Sequence, residues 1–161
     1  KVLVVMGSDS DLKVMEKCVD RLKSFDIPTE VRICSAHRTP AVAEQLAKNA
    51  AAEGFGVIIA AAGKAAHLGG VLAAYTTLPV IGVPMATSVM GGMDSLLSIV
   101  QMPKGIPVAT VAIDGADNAA ILAAQMIALS DDTLAQKLAQ FKADMAAEVT
   151  AKDEKVRAQF A

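Results

Sequence analysis

The hexapeptide Ser35-Ala36-His37-Arg38-Thr39-Pro40 collects the side chains of this chain that best suit chemistry on a small anionic substrate. It offers a hydroxyl, an imidazole that can give and take a proton near neutral pH, and a guanidinium that can bind two phosphate oxygens. His37 is one of only two histidines, and both follow predicted strands. The alternatives are a structural histidine that caps local backbone and a solvated Arg38.

A second turn, Gly7-Ser8-Asp9-Ser10-Asp11, offers groups for a phosphate and a sugar. Gly7 lets the backbone approach closely, N–H groups at a helix start face an anion, and Ser8 can donate a hydrogen bond to it. Asp11 repels phosphate but can accept hydrogen bonds from a ribose diol. The same spacing also fits a purely structural capping box of Ser8 with Asp11.

A third turn, Gly63 to Gly70, is rich in glycine and contains the second histidine, His67. Gly63 would let backbone N–H groups reach a planar ligand, or would simply make a tight turn between strand and helix. His67 fits an interface or supporting role as well as a site role. A metal held by His37 and His67 lacks an accompanying carboxylate or cysteine in either motif.

These turns are positioned by apolar runs that alternate with helical patterns. Alternation of strands with helices predicts a parallel sheet with right-handed crossovers, and ligands bind such sheets at the carboxyl ends of the strands. We therefore expect a flavodoxin-like three-layer α/β/α sandwich with a five-stranded parallel sheet. The predicted strands are Val2 to Met6, Pro28 to Cys34, Val57 to Ala62, Pro79 to Val83 and Val108 to Ile113.

Helical patterns fill the intervals. The first helix has Leu12, Met15, Val19, Leu22 and Phe25 on one face and is stopped by Pro28. The second helix, Pro40 to Glu53 with Thr39 as N-cap, has an apolar stripe of Val42, Leu46 and Ala50. The remaining predicted helices are Val71 to Tyr75, which is apolar all round, Asp94 to Val100, Asn118 to Leu129, and a long C-terminal helix from Asp131 with the stripe Leu134, Leu138, Phe141, Met145, Val149, Val156 and Phe160.

Length and composition narrow the functional classes. The 161 residues fit a single domain, 1–161, and the net charge of −2 gives no reason to expect nucleic acid. Mean hydropathy is +0.44, but no run of about 20 apolar residues predicts a membrane span, so we expect a homo-oligomer. The sequence lacks the GxxxxGK[ST] motif of ATP-binding loops, the GxGxxG motif of dinucleotide-binding domains and the GxSxG motif of hydrolases, so these functions have no support.

The two cysteines, Cys18 and Cys34, have no metal-ligand spacing, and no signal peptide precedes them. We therefore expect free thiols and a cytoplasmic protein. Cys34 stands close to His37 and could act as a nucleophile, but a cysteine that closes an apolar strand is usually buried and inert.

Taken together, several segments of the chain, in order and nearly from end to end, resemble one family, the N5-carboxyaminoimidazole ribonucleotide mutases of bacterial purine biosynthesis. The segments are Met6-Gly7-Ser8-Asp9-Ser10-Asp11, Ser35 to Pro40, Ala62 to Leu68, Pro79 to Pro84, and Asp94 to Pro103. The resemblance implies an isomerase that moves a carboxylate from the exocyclic N5 of its ribonucleotide substrate to C4 of the imidazole. It also implies no metal, ATP or organic cofactor, and a homo-octamer with active sites where subunits meet.

The resemblance also assigns roles to residues. His37 would be the catalytic acid and then base, and Ser8, Asp11 and Arg38 would bind the ribonucleotide. Ser35 and the backbone from Gly63 to Leu68 would line the base and the carboxylate, and a loop from Ser88 to Met93 would help close the pocket. The full set of expected substrate-binding residues is Gly7, Ser8, Ser10, Asp11, Ser35, Ala36, Arg38, Gly63, Lys64, Ala65, His67 and Leu68.

Two positions depart from the family pattern. Gly69 stands where the family commonly has proline, which predicts a looser third turn and poorer retention of carbon dioxide. Lys64 stands where many members have glycine, and it either assists the carboxylate or points to solvent. Two alternative functions stay open: a related branch that carboxylates aminoimidazole ribonucleotide directly and typically has lysine at position 38, and a non-catalytic flavodoxin-like nucleotide-binding module.

Overall fold

Five parallel strands form one sheet in the computed structural model, which describes the whole chain, residues 1–161. The strands are β1 (Val2–Met6), β2 (Thr29–Ile33), β3 (Val57–Ala62), β4 (Val80–Pro84) and β5 (Ala109–Thr110). Their order is β2-β1-β3-β4-β5, and every neighbouring pair is parallel. This is the flavodoxin-like order, so the predicted fold class is confirmed.

Six α-helices cover the two faces of the sheet. They are α1 (Leu12–Ser24), α2 (Pro40–Asn49), α3 (Leu68–Tyr75), α4 (Met93–Val100), α5 (Ala116–Ala128) and α6 (Asp132–Gln159), with a 3-10 turn at Asp9–Asp11 before α1. Successive β1 side chains point to opposite faces. Val2, Val4 and Met6 pack with α1, α5 and the start of α6, whereas Leu3 and Val5 pack with α2, α3 and Ile99 of α4.

The predicted bounds of β1 and β3 are confirmed, whereas the fifth strand is much shorter than predicted. Its ladder with β4, its one neighbour in the sheet, is limited to Ala109 and Thr110. Beyond it, the N–H groups of Val111 and Asp114 donate to Gly82 and Pro84 without continuing the strand. The apolar run from Val108 to Ile113 therefore predicted a longer strand than the chain forms.

The end of α1 also differs from the prediction. The helix stops at Ser24, four residues before Pro28. Asp26 adopts φ +58°, a left-handed conformation that ends helices and that aspartate tolerates better than most residues. Pro28 therefore follows the turn and precedes β2, and it does not itself stop the helix.

Of the apolar stripe predicted for α2, Ala50 is buried as expected, whereas the buried positions near Val42 and Leu46 are each one residue further on. Ala43, Ala47 and Ala50 are buried, whereas Val42 is 36% exposed and Leu46 is half-buried. Small side chains on this face let α2 pack closely against the sheet and α3. The helix also ends at Asn49 instead of Glu53, and Gly54 with φ +81° completes the turn.

The third turn is shorter than predicted because α3 already begins at Leu68. Gly69 and Gly70 therefore lie in the first turn of a helix and are not part of the loop. Within one chain, α3 buries Leu68, Gly69 and Leu72 but leaves Tyr75 41% exposed. The expectation of a helix buried on every side thus does not hold within a single chain.

The C-terminal helix is supported by the rest of the chain only at its start. The Asp131 carboxylate caps it by accepting from the N–H of Leu134 at 2.9 Å. Leu134 is buried, and Leu138 and Phe141 pack against the same core. From Met145 onward the apolar stripe is exposed, with Val149, Val156 and Phe160 at 66%, 54% and 80%. None of the helices combines the length and the apolar character needed to cross a membrane.

Candidate active site

The carboxyl ends of β1, β2, β3 and β4 surround one cavity of about 600 Å³. Every residue that the sequence nominated for the site lines it: Gly7, Ser8, Ser10, Asp11, Ser35, Ala36, His37, Arg38, Gly63, Lys64, Ala65, His67 and Leu68. Sequence reasoning missed Ala62, Met85, Ala86 and Thr87. The signal for the last three was available, because a fourth predicted parallel strand must also end at this edge of the sheet. Of the proposed closing loop, Ser88 alone lines the cavity.

The two histidines meet across the cavity. Nε2 of His37 lies 2.7 Å from Nδ1 of His67, and the rings stand edge to face with 4.9 Å between centroids. A hydrogen bond at this distance requires one proton between the two nitrogens, so one ring donates and the other accepts. The turns after β2 and β3 thereby couple their imidazoles, and Nδ1 of His37 has no protein partner.

The turn after β2 is held by its own hydroxyl groups. Thr39 is the N-cap of α2 by position, but its hydroxyl donates to the carbonyl of Ser35 and accepts from the Ser35 N–H, both at 3.0 Å. The hydroxyl of Ser35 accepts from the backbone N–H of Arg38 at 3.1 Å and from its Nε at 3.4 Å. Ser35 therefore orients the guanidinium while leaving its terminal nitrogens free for an anion.

The first turn differs from the capping box that the sequence allowed as an alternative. The Ser8 hydroxyl accepts from the N–H of Ser10 at 3.3 Å and from its hydroxyl at 3.0 Å, and it does not cap the N–H of Asp11. Asp11 lies half-buried in the cavity wall, and burial is the main cause that raises the pKa of its carboxyl. Hydrogen bonds from the Ser10 side chain and the Ser8 backbone lower that pKa in part, and the nearby carboxylates of Asp114 and Asp9 raise it. A hydroxyl donor from a ligand would offset this destabilisation of the charged form.

The third turn is fixed by serines of α4. The N–H of Lys64 donates to the hydroxyl of Ser95 at 2.9 Å. The hydroxyl of Ser98 donates to the carbonyl of Asp94 at 2.7 Å and makes a longer contact of 3.3 Å with the carbonyl of Lys64. A Cβ at Gly63 would make only ordinary contacts with Met85, Thr87 and Ser95. Packing within the chain therefore does not require glycine there, and any such need must come from a ligand.

The turn after β4 is likewise tied down. The Thr87 hydroxyl donates to Asp94 at 2.7 Å and accepts from the N–H of Gly92 at 3.1 Å. The carboxylate of Asp114, from the turn after β5, accepts from the N–H of Ala86 at 2.9 Å. These contacts give the cavity a wall on the β4 side.

The cysteines stand apart from this cavity. Cys34 is buried against Thr39, with its sulfur 3.6 Å from the threonine hydroxyl, and is absent from the cavity lining. Burial raises the pKa of Cys18 to about 12, which keeps that thiol protonated. The buried, inert interpretation of Cys34 fits this placement. No three His, Cys, Asp or Glu side chains of the chain cluster closely enough to ligate a metal.

Residues 1–148 match the family described as AIR carboxylase. The chain belongs to this family. The N5-carboxyaminoimidazole ribonucleotide mutase of Methanocaldococcus jannaschii is 52% identical over 159 residues and is aligned over 99% of both chains. The mutase of Mycobacterium leprae is 54% identical over 153 residues, which are 95% of this chain and 90% of the relative. The resemblance drawn from the motifs is therefore confirmed.

Two further relatives show the fold of the AIR carboxylase family and the activities for which its members are named. The crystal structure of Treponema denticola PurE superposes with a TM-score of 0.88 at 30% identity and covers 96% of both chains. A chloroplastic phosphoribosylaminoimidazole carboxylase of Vigna aconitifolia is 51% identical over 140 residues, which are 87% of this chain but 25% of the plant protein. Both mutases and a carboxylase thus carry this domain.

Proposed function

We propose that the chain is an N5-carboxyaminoimidazole ribonucleotide mutase, an isomerase that forms 4-carboxyaminoimidazole ribonucleotide in de novo purine synthesis. One observation carries the proposal: an imidazole, a guanidinium and a half-buried carboxylate, from His37, Arg38 and Asp11, line the same cavity. The names of relatives more than 50% identical over nearly the whole chain give the reaction class.

Binding of the ribonucleotide follows from the charges of the cavity. Arg38, oriented by Ser35, presents free guanidinium nitrogens to the phosphate. The Ser10 hydroxyl donates to Ser8 and the Ser8 hydroxyl donates to Asp9 in the free protein, and both would rotate to donate to the same anion. Asp11 accepts hydrogen bonds from the ribose diol, which supports its ionised form against the burial that raises its pKa.

The reaction begins with a proton from His37 to N5 of the substrate. Protonation of this nitrogen weakens its bond to the carboxylate carbon, the bonding pair stays on nitrogen, and carbon dioxide leaves. The neutral aminoimidazole ribonucleotide is an enamine, and its C4 then attacks the carbon of the retained carbon dioxide. His37, now neutral, removes the C4 proton and restores the aromatic ring, so one imidazole is acid and then base.

The contact with His67 links the tautomers of the two rings. In the arrangement in which Nδ1 of His67 accepts, a proton stays on Nε2 of His37, and Nδ1 of His37 exchanges the proton with the substrate. We assign this arrangement to the enzyme, with His67 as a positioning residue for the proton carrier.

The direct carboxylation of aminoimidazole ribonucleotide is the second candidate. The plant relative is named a carboxylase, which favours it, but Arg38 stands where that branch typically has lysine. Gly69, which predicted a looser third turn, lies in the first turn of α3 and a Cβ there would make only ordinary contacts. The placement of Gly69 inside a helix therefore weakens the expectation that carbon dioxide retention is poor.

Assembly and location are part of the proposal. Exposed apolar side chains occur on α4 and the loop before it, Val89, Met90, Met93, Leu97 and Val100, and on the second half of α6. They support association of the chain with itself, and the family resemblance implies a homo-octamer of ~133 kDa, eight times the 16.6-kDa chain. Light scattering tests this assembly, and a monomer would contradict the expectation of active sites shared between subunits.

The cysteines bear on the location of the protein. Both are free and buried, which supports a cytoplasmic location.

The decisive experiment gives the enzyme its two possible substrates separately. We expect conversion of N5-carboxyaminoimidazole ribonucleotide to the C4-carboxylated product, and no comparable conversion of aminoimidazole ribonucleotide with a low concentration of bicarbonate. His37→Asn should lower kcat by about 1,000-fold or more, because both proton transfers are lost. His67→Asn should cost less, since the proton carrier remains.

Other outcomes separate the alternatives. Equally efficient conversion of aminoimidazole ribonucleotide and bicarbonate would place the chain in the direct carboxylase branch. Binding of the ribonucleotide by a folded protein with no turnover of either substrate would instead support a non-catalytic nucleotide-binding module.

A further inference from the structure

Lys64 is the only lysine that lines the cavity, and its backbone is unusual. Three residues other than glycine have positive φ: Asp26, Asp114 and Lys64, the last at +58°. Aspartate tolerates this region because its short side chain can bond locally, but a lysine gains nothing comparable there. Glycine would adopt the same conformation without strain, so the lysine is present at a cost to the fold.

The backbone of Lys64 is held in place by α4. Its N–H donates at 2.9 Å to the hydroxyl of Ser95, which is fully buried. The one proton of the Ser98 hydroxyl is shared between the carbonyl of Asp94 at 2.7 Å and that of Lys64 at 3.3 Å, so this second contact contributes less. The bond to Ser95 keeps the strained residue in the lining of the cavity.

The Lys64 ammonium group has no carboxylate partner in the chain. Lys1, Lys48 and Lys137 each form an ion pair, with Glu30, Glu44 and Asp26 respectively. No acidic side chain lies within 4.0 Å of Lys64, and the one carboxylate in the cavity lining belongs to Asp11. Its charge is thus available to a ligand.

The sheet places Lys64 and Arg38 on opposite sides of the β1 turn. Arg38 follows β2 and Lys64 follows β3, and β1 lies between these strands. Two strand spacings separate the turns, about 10 Å. A ribonucleotide with a phosphate at one end and a carboxylate on its heterocycle at the other presents two anions that need two separate cations. Lys64 also shares its turn with His67, which contacts the proton carrier.

We propose that Lys64 binds the substrate carboxylate and sets the preference of this chain for carboxylated over decarboxylated aminoimidazole ribonucleotide. The inference rests on the proposed function and adds the residue that recognises the migrating group. Arg38 serves the phosphate, which both ribonucleotides carry, so it contributes to affinity without discriminating between them. Lys64 acts on the group by which they differ.

The test compares dissociation constants for two ligands, 4-carboxyaminoimidazole ribonucleotide and aminoimidazole ribonucleotide, by calorimetry. Every protein carries His37→Asn so that the ligands are not consumed during the titration. Lys64→Met should weaken binding of the carboxylated ligand about 10-fold and change binding of the other less than about 2-fold. Lys64→Arg should keep most of the preference. Lys104→Met removes an exposed lysine from outside the cavity and should change neither constant.

Lys64→Gly guards against a folding artefact, since glycine adopts φ +58° freely. It should lose the same preference as Lys64→Met while melting at a higher temperature than the parent. Equal weakening of both ligands would mean that Lys64 serves the phosphate, and unchanged constants would mean that it faces solvent; either result overturns the inference. Failure of the proposed function is seen separately, as absence of turnover by the protein with the native His37.

Discussion

The strands of the sheet end at an amino edge and a carboxyl edge, and the charged side chains at these two edges are used in opposite ways. At the amino edge, cations pair with carboxylates of the same chain: Lys1 lies 3.3 Å from Glu30, and Lys137 bonds to Asp26. At the carboxyl edge, neither Arg38 nor Lys64 has an ion-pair partner. Charges that are compensated within the chain tie elements together, whereas uncompensated charges around a cavity remain available for an anionic ligand.

Hydroxyl groups at the carboxyl edge, unlike the cations there, are bonded within the chain. Around the cavity, Ser35, Thr39, Ser95 and Thr87 bond to backbone or side chains of the turns and fix their shape. The turns around the cavity are thus held in shape by hydroxyl groups, two of which, Ser35 and Thr87, also line the cavity. Because hydroxyl groups carry no charge, this order leaves the cations Arg38 and Lys64 uncompensated for the ligand.

The largest effect that would sharpen this contrast is expected from Arg38→Met. Loss of a charge-assisted contact with the phosphate should weaken ribonucleotide binding by about 30-fold in a titration. Arg32→Met is the matched control, because Arg32 is exposed on β2 and pairs with Glu30 at 3.4 Å. Comparable weakening by both variants would mean that the effect is general electrostatics and not a contact at the carboxyl edge.

Ser95→Ala tests whether neutral bonds order the cavity. The N–H of Lys64 would lose its acceptor, so the free energy of unfolding should fall by about 1–2 kcal/mol in a denaturant titration. Ser130→Ala, which removes an exposed hydroxyl near the end of α5, should fall within about 0.5 kcal/mol of the parent. An unchanged stability for Ser95→Ala would show that the third turn is held by its packing alone.

Asp11→Asn should move stability and binding in opposite directions. Because the folded-state pKa of Asp11 is raised, its ionised form destabilises the free protein at pH 7, and this penalty disappears as the pH falls and the carboxyl is protonated. The variant should therefore be more stable at pH 7 by less than about 1 kcal/mol, with the difference closing toward pH 4. Binding of the ribonucleotide should weaken, since the amide accepts from a diol less strongly than a carboxylate.

The control for Asp11→Asn is Asp9→Asn, two residues away on the exposed side of the same turn. It should leave affinity nearly unchanged. If Asp11→Asn instead lowered stability at pH 7, the carboxylate would be compensated by the chain, and the two edges of the sheet would not differ as described.

The smallest effect is expected at the amino edge. Lys137 lowers the pKa of the Asp26 carboxyl, so their contact supports the fold above the ordinary pKa of aspartate and is lost as the pH falls below it. Exposed pairs of this kind contribute little. Lys137→Met should shift Tm by no more than about 2 °C and leave kcat/KM unchanged. A change in kcat/KM would show that the amino edge communicates with the cavity.

Most of the fold, and most of the residues that line the site, could be predicted from the sequence. Continuous apolar runs located β1 and β3 to the residue because both strands are buried on both faces. Motifs that follow parallel strands must meet at one edge, so thirteen residues nominated from three turns line a single cavity. Neither inference needs knowledge of side-chain packing.

What escaped prediction depends on contacts between distant parts of the chain. The distance between His37 and His67 depends on the rotamers of two turns separated by β1, and the clamp on Lys64 comes from a helix 31 residues further on. The register of α2 was missed because close packing selects Ala43 and Ala47 over the larger Val42 and Leu46. Hydrophobicity ranks these residues in the reverse order.

The second half of α6 has a consequence for how the state of the protein could be followed in solution. The helix has 28 residues and is therefore about 42 Å long, yet every residue beyond Phe141 is exposed and none packs against another element of the core. Helices without tertiary support are marginal in water. The far-ultraviolet circular dichroism signal of this segment should therefore depend on protein concentration. A loss of helical signal on dilution would report that the subunits have separated.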